Sequence, residues 1–257
     1  MKLICLNIWG GKVYKPLTKF IRDYSKEVDI FCFQEVFHTE AEITEDFDYR
    51  LNIFAELSKV LTNFNSFFDV SVENYLTGSF KENFTDYKLS SGLATFVRKG
   101  INLKSNGSFF IYGQKNDFNP KDKESLQRNA QYISFTISGK QFTILNLHGL
   151  WTPTKFDTPS RIKQSNIIKA FLSKQKDRKI VCGDFNLHPD TKSLKILEKD
   201  LKNLIKEFKI KSTRSSFHQQ DVKFADYILA SKDVKVLDFK VLKTQVSDHL
   251  PLYLEFS

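Results

Sequence analysis

The side chains best suited to chemistry in this 257-residue sequence form small polar clusters, most of them at the ends of short apolar runs. They comprise carboxylates, amides and two histidines. Each cluster alone is weak support for a site, because an acid after a strand usually caps a turn and a lone histidine there is more often structural. The informative feature is the whole set in chain order: Asn7, Gln34-Glu35, His148, Asp184 with Asn186, Asp226, and Asp248-His249.

This set has the composition of a metal-assisted phosphoryl-transfer site. Carboxylate and amide oxygens, with no cysteine among them, favour Mg²⁺ or Mn²⁺ over structural zinc. Phosphoryl transfer needs a cation on a phosphate oxygen, an oriented water molecule and a donor that stabilises developing charge. The set contains a residue for each need. The sequence lacks the Gly-x-Ser-x-Gly, His-Glu-x-x-His and glycine-rich nucleotide-binding motifs of competing enzyme classes.

Short strands must position these residues. Apolar runs of four to eight residues bounded by turn residues are typical of buried strands. Most of the runs end at a polar cluster, whereas one carries Asp226 inside it. The predicted strand segments cover residues 3–8, 30–33, 92–97, 132–137, 142–147, 180–182, 224–229 and 246–249.

Helical periodicity lies between these strands. Apolar residues three and four apart predict helices over 51–64 and 194–208, and a third is predicted over 159–174. Strands that alternate with helices favour an α/β fold. Residues 77–91 and 113–125 lack periodicity and are predicted loops. With no linker or internal repeat, we expect a single domain over residues 1–257.

The composition is typical of a globular protein. A hydrophobic fraction of 41% and a charged fraction of 27% exclude disordered and collagen-like classes. No apolar run approaches the ~20 residues of a membrane span, and the N-terminal segment predicts a strand and not a signal peptide. The three cysteines lie in apolar runs, as is typical of buried thiols in a reducing compartment. We therefore expect a cytoplasmic protein.

The net charge of +9 comes from one segment. Residues 161–214 hold 15 basic and 6 acidic residues, so the rest of the chain is balanced. A basic stripe is typical of a nucleic-acid footprint. Lysines on the exposed faces of surface helices give the same pattern. Both interpretations remain open.

The ordered clusters resemble those of the endonuclease/exonuclease/phosphatase superfamily, which includes deoxyribonuclease I, AP endonucleases and neutral sphingomyelinases. The match extends from Leu3 to Phe256. The resemblance implies a deoxyribonuclease I-like four-layer α/β sandwich, in which two mixed β-sheets pack face to face with helices on the outside. It also implies hydrolysis of a phosphoester by an activated water molecule, with Mg²⁺ or Mn²⁺ as cofactor.

The resemblance implies a role for each cluster. Glu35 resembles the principal metal ligand, with Asn7 and Asp248 beside it. Asp184 resembles the acid that orients the attacking water, and Asn186 the amide that steadies charge on the phosphoryl group.

The histidines and the remaining polar residues also match. His249 resembles the residue that binds phosphate or assists proton transfer, and Asp226 the acid that holds a catalytic imidazole in one tautomer. His148 matches a histidine of deoxyribonuclease-like and sphingomyelinase-like members, which disfavours the AP-endonuclease branch. Arg128 resembles an arginine that contacts substrate phosphate, although a surface salt bridge is an equal alternative.

Two other arginines, Arg161 and Arg214, either reach the cleft or tie elements together. Three histidines match no role and are predicted at the surface: His38, His188 and His218.

We expect a metal-dependent phosphodiesterase acting on nucleic acid, either an endo- or an exonuclease. The alternative among enzymes is a phosphatase or a phospholipase C-like hydrolase of a small or lipid phosphoester. An inactive binding scaffold is disfavoured because every core position of the site is filled. We expect no membrane span, no obligate protein partner and a monomer.

Overall fold

Two six-stranded β-sheets packed face to face form the centre of the computed structural model, and helices cover their outer surfaces. The architecture is the predicted four-layer α/β sandwich. The structure describes residues 1–41, 45–46, 48–73, 89–115, 117, 119 and 126–257. Most of the predicted loops 77–91 and 113–125 lie outside the described residues.

The elements follow one another in an irregular alternation of strands and helices. The strands are β1 (Lys2–Asn7), β2 (Ile30–His38), β3 (Glu45–Asp46), β4 (Tyr49–Arg50), β5 (Phe64–Val72), β6 (Ser90–Arg98), β7 (Asn102–Tyr112), β8 (Arg128–Ile137), β9 (Lys140–His148), β10 (Arg178–Asp184), β11 (Leu201–Asn203), β12 (Asp226–Ser231), β13 (Val236–Val241) and β14 (Leu252–Phe256). The helices are α1 (Tyr14–Tyr24), α2 (Ile53–Val60), α3 (Pro159–Lys174), α4 (Lys192–Glu198) and α5 (Leu204–Glu207), with a 3₁₀ turn at Trp9–Gly11.

Each large sheet is mixed and contains one parallel pair. The first has the order β13-β14-β1-β2-β6-β5 and the second the order β11-β12-β10-β9-β8-β7. The parallel pairs are β1 with β2, where Asn7 faces Gln34, and β9 with β10, where His148 faces Asp184. Because both strands of a parallel pair run in the same direction, their carboxyl ends lie together. Each sheet therefore carries its polar strand ends at the same end of its central strands.

Alternation in β1 explains the layering. Leu3 and Cys5 point into the core shared with the second sheet, whereas Ile4 and Leu6 pack in a separate core beneath helix α1. Successive side chains of a strand point to opposite faces. A strand that is apolar on both faces must therefore be covered on both sides, here by a sheet and by a helix.

Polar side chains cross the interface between the sheets just below the strand ends. Gln34 Nε2 donates to Asn146 Oδ1 at 2.7 Å, and Asn146 Nδ2 donates to the carbonyls of Phe33 at 3.2 Å and Ala94 at 3.3 Å. Gln34 directly precedes Glu35, and Asn146 lies two residues before His148. These bonds fix the two strand ends relative to each other.

Two of the predicted helices differ from the structure. The first is shorter than predicted because Phe64 begins strand β5. The prediction of one helix over 194–208 is wrong: Lys202 pairs with Ala230 in an edge strand, and Asn203 Oδ1 caps a new short helix by accepting from Lys206 N at 3.3 Å. Residues 246–249 form no strand and lie in the loop before β14. The 159–174 helix is confirmed.

Other expectations concern burial and the membrane. The three cysteines are buried and form no disulfide, as predicted. No helix in the described part of the chain is long and apolar enough to cross a membrane.

Candidate active site

The polar clusters converge at one end of the sandwich, where the ends of strands from the two sheets lie next to each other. Asn7 ends β1, Glu35 lies within β2, and His249 precedes β14 in the same sheet. The second sheet contributes the ends of β9 and β10 and the start of β12. The residues brought together are Asn7, Glu35, His148, Asp184, Asp226 and His249.

Unusual backbone conformations hold two of these clusters. Glu35 has φ of 54° at a point where the β2–β6 register shifts, and Asn186 has φ of 55°. Such left-handed conformations are costly for residues other than glycine and concentrate at functional sites. Gly183 has φ of 148°, and a Cβ there would lie 1.9 Å from the Leu147 carbonyl oxygen. The Gly-Asp-x-Asn sequence therefore needs its glycine to bring β10 against β9.

Asn7 links the acids of the two sheets. Its buried Nδ2 donates to Glu35 Oε1 at 3.0 Å and to Asp184 Oδ2 at 3.1 Å. Its Oδ1 accepts from the backbone N–H of Trp9 at 3.0 Å. The amide nitrogen of Asn7, and not its oxygen, thus faces the carboxylates.

The imidazole held by Asp226 is that of His249. Its Nδ1 lies 2.8 Å from both carboxylate oxygens of Asp226, and Thr213 Oγ1 donates to Asp226 Oδ2 at 2.9 Å. Burial opposes the charged imidazole, but the carboxylates of Asp226 and then Asp248 outweigh it and raise the pKa of His249 to about 9. Its Nε2 lies 3.6 Å from Asp184 Oδ2.

The second imidazole has the opposite character. His148 Nε2 lies 3.6 Å from Asp184 Oδ2 and 3.9 Å from Glu35 Oε1, and Arg128 Nη1 lies 3.3 Å from its Nδ1. Burial and the Arg128 charge hold the pKa of His148 well below its usual value. Burial thus favours the neutral form of His148, whereas the carboxylates around His249 favour its charged form, a contrast suited to separate proton-transfer and binding roles.

Asp248 lies in a cationic neighbourhood that sequence analysis did not predict. Its Oδ2 is 3.2 Å from Arg214 Nη1 and 3.5 Å from His218 Nδ1. Burial opposes ionisation, but His249 and these two residues lower the pKa of Asp248. The prediction that His218 is a surface residue is wrong, since its side chain is only 14% exposed. No sequence signal distinguished it from His188, whose side chain is 41% exposed.

The two arginines with open roles are now distinguished. Arg214 reaches the site, where Nη1 also contacts His249 Nε2. Arg161 is buried and donates to the carbonyls of Leu150, Thr154 and Phe156, so it ties a loop in place. His38 is half-buried and bonds Asn52 through Nδ1 at 2.8 Å.

The donors fit a divalent cation. Ligand atoms of Glu35, His148 and Asp184 lie within 4.8 Å of one another. The Glu35 side chain is 33% exposed. Burial by the surrounding protein and the nearby carboxylate of Asp248 nevertheless raise its pKa, and the hydrogen bond from Asn7 only partly opposes this rise. A cation beside Glu35 would offset that repulsion. A second cluster, Asp184, Asp226 and His249, already has its charges paired.

Lys155 is a further residue that sequence analysis missed. It is 8% exposed, and its ammonium donates to Asn186 Oδ1. Burial, only partly offset by Asp184, lowers its pKa to about 8. The sequence offered no signal, because Lys155 lies outside every apolar run and polar cluster.

Comparison with known proteins agrees with the family resemblance of the sequence and with the fold. The family model for the Endonuclease/Exonuclease/phosphatase family matches residues 4–249. No curated protein sequence matches the chain.

Solved structures with the same fold cover the whole chain. A Bacteroides thetaiotaomicron mannosyl-6-phosphatase has a TM-score of 0.72 at 15% identity and is covered over 99% of its length. An endonuclease/exonuclease/phosphatase family protein from Leptotrichia buccalis has a TM-score of 0.71 at 18% identity and is covered over 99% of its length. The human Nocturnin catalytic domain has a TM-score of 0.65 at 20% identity and 93% coverage. At these identities the likeness concerns the fold alone.

Proposed function

Because the chain belongs to the endonuclease/exonuclease/phosphatase family, we propose that it is a phosphoesterase that depends on a divalent metal. One observation carries the proposal: the Asn7 amide donates to acids of both sheets, Glu35 and Asp184, and two unlike imidazoles each lie 3.6 Å from the same Asp184 oxygen. When bound, Mg²⁺ or Mn²⁺ supplies positive charge to a phosphate oxygen. Glu35 is the proposed principal ligand; Asn7 positions its carboxylate through Nδ2, and the carboxylate of Asp248 adds negative charge nearby.

Asp184 and His249 are the proposed groups that handle the attacking water. Asp184 Oδ1 accepts from the backbone N–H of Asn186 at 2.9 Å, which leaves Oδ2 turned towards both imidazoles. Burial opposes its ionisation, but the surrounding cations, His249 foremost, lower the pKa of Asp184, so it acts as an acceptor that orients water. Asp226 holds His249 with Nε2 facing the cleft, where it binds phosphate or transfers a proton.

Neutral and cationic donors on the second sheet are the proposed phosphate-binding groups. His148 and Arg128 contact each other beside Glu35, and the Asn186 amide nitrogen lies near the end of β10. Donors placed where charge develops stabilise the transition state and are each worth about 10²–10³ in turnover.

Nucleic acid is the proposed substrate class. The basic surplus supports it, but the five lysines in 194–209 are all exposed: Lys195, Lys199, Lys202, Lys206 and Lys209. We expect neutralising them to matter little, whereas Arg128→Ala raises KM or lowers turnover. Nucleic-acid affinity measured from ~50 to 200 mM salt decides, since each lost phosphate contact flattens the slope by about one.

A small phosphoester is the second candidate. A small pocket beside Glu35 is lined by Phe37, Ser71, Arg128 and His148, among others. Its acidic, basic and hydroxyl side chains suit a single compact phosphate group.

The deciding experiment is a hydrolysis panel with Mg²⁺ or Mn²⁺. The substrates are plasmid DNA, single-stranded RNA, abasic duplex, 5′-tyrosyl DNA, bis-p-nitrophenyl phosphate and a sugar phosphate. We expect EDTA to abolish hydrolysis and either metal to restore it. Glu35→Gln should lower activity by orders of magnitude, while Glu27→Gln, at an exposed glutamate, should leave it intact.

Variants of the histidine pair test the proton chemistry. His249→Ala and Asp226→Ala should each reduce turnover roughly 10²-fold or more, while His188→Ala should be nearly silent. Full activity after exhaustive chelation would refute the metal dependence. Equal losses in all three variants would indicate a defect of folding.

A further inference from the structure

Lys155 is a buried cation that forms no ion pair with any residue the structure describes. It lies in the loop 149–158, between β9 and α3, and its ammonium contacts Asn186 Oδ1. The carboxylate of Asp184 raises the pKa of Lys155 from a longer distance and only partly offsets the burial. Burying a charge without a countercharge is unfavourable. Such an arrangement persists most readily where an anion binds.

The loop is built to keep Lys155 in this place. Arg161 donates to the carbonyls of Thr154 and Phe156 on either side of Lys155, at 2.8 and 2.5 Å. The carbonyl of Lys155 itself accepts from His188 N at 2.7 Å. Both flanks and the residue itself are therefore anchored, and little conformational freedom is lost when the ammonium binds a ligand.

The ammonium also determines how Asn186 is presented. Because Asn186 Oδ1 accepts from Lys155, the amide nitrogen points the other way, where it donates to the Gly149 carbonyl at 3.2 Å. An amide nitrogen has two hydrogens and an ammonium has three. One amide hydrogen and two ammonium hydrogens thus remain for a ligand.

We propose that Lys155 is a phosphate-binding residue, whose ammonium donates to a non-bridging oxygen of the substrate's phosphoryl group beside Asn186. The proposal rests on the phosphoesterase function proposed above. Lys155 supplies the countercharge for the phosphate, and the phosphate supplies the anion that the buried ammonium lacks.

The test compares wild type with Lys155→Met, Lys155→Arg and the control Lys163→Met, at an exposed lysine of α3. Inorganic phosphate is the probe, titrated calorimetrically into each protein with Mg²⁺ present. Hydrolysis of bis-p-nitrophenyl phosphate is measured in parallel, along with Tm. We expect Lys155→Met to bind phosphate at least tenfold more weakly and to lose roughly 10²-fold in kcat/KM.

Stability separates binding from structure. Lys155→Met removes a buried charge but also strands Asn186 Oδ1, and these two effects on stability offset each other, so Tm should change little, whereas a merely structural lysine would lower Tm and activity together. Lys155→Arg retains the charge and should recover part of the phosphate affinity. Lys163→Met should match wild type in all measurements.

The outcomes for the two proposals are distinct. If Lys155→Met binds phosphate and hydrolyses the diester within threefold of wild type, the role of Lys155 is refuted. If wild type binds phosphate, the variant does not and neither hydrolyses any substrate, Lys155 keeps its role and the phosphoesterase proposal fails. A wild-type protein that neither binds phosphate nor hydrolyses any substrate overturns both.

Discussion

The hydrogen-bonded pair Gln34–Asn146 sets the two sheets against each other directly beneath the site, so replacing it should be costly. Asn146→Leu keeps the approximate shape of the side chain and removes its hydrogen bonds. The substitution loses the short bond from Gln34 Nε2, at 2.7 Å, two longer bonds to main-chain carbonyls, at 3.2 and 3.3 Å, and a weak bond to Thr95 Oγ1 at 3.4 Å.

The expected loss of stability follows from these four bonds. A buried hydrogen bond contributes about 0.5–1.5 kcal/mol net, and a stranded buried polar group costs about 1–3 kcal/mol. Gln34 Nε2 keeps the Cys32 carbonyl at 3.3 Å, which limits its penalty. We therefore expect Asn146→Leu to lower the free energy of unfolding by about 3 kcal/mol, measured by urea denaturation.

A double-mutant cycle isolates the pair. Gln34→Met combined with Asn146→Leu should cost at least ~1 kcal/mol less than the sum of the single changes, because neither polar group is then stranded. Ser165→Ala is the control: Ser165 is buried, but its Oγ has no hydrogen-bond partner among the described residues, so its removal should be nearly neutral. An Asn146→Leu loss below ~1 kcal/mol, or additive single effects, would refute the reasoning.

Three further predictions concern the backbone, the loop and the thiols. Gly183→Ala should cost more than ~4 kcal/mol in urea unfolding because its Cβ would meet a carbonyl of β9. Gly139→Ala, with φ of 75° and open space, should cost about 1–2 kcal/mol, and equal losses would contradict the steric argument. Arg161→Met should speed hydrogen exchange in the loop 149–158, measured by mass spectrometry, while Lys163→Met should not. Unchanged exchange in Arg161→Met would show that Arg161 does not hold this loop in place. Burial raises the pKa of the Cys5 thiol, and all three cysteines are buried, so a thiol reagent should label them only as fast as the protein unfolds. Rapid labelling of the native protein would refute this.

Much of the fold and most of the candidate site could be predicted from sequence. Short apolar runs predicted most of the strands. The polar residues in or next to these runs, taken in their order along the chain, predicted the site. Each of the residues now gathered around Asn7 was identified in this way. These signals are local, because side-chain periodicity and strand-end chemistry depend on residues a few positions apart.

Tertiary structure decided what depends on distant pairings. The 194–208 segment has helical periodicity, yet edge pairing with β12 interrupts it, which shows how sheet contacts override local preference. Asp226 orients His249 and not His148 because antiparallel pairing of β12 with β10 and the loop before β14 fix that distance.

The side chains missed by sequence analysis share one property. Lys155 and His218 belong to loops, and each gains its environment only when a loop packs onto a strand end far away in sequence. No periodicity marks such residues, since loop geometry is set by contacts outside the loop. The sequence by itself determined which chemistry the strand ends hold; the packing of loops and sheets decided which charges surround it, because burial and charge proximity exist only in the folded chain.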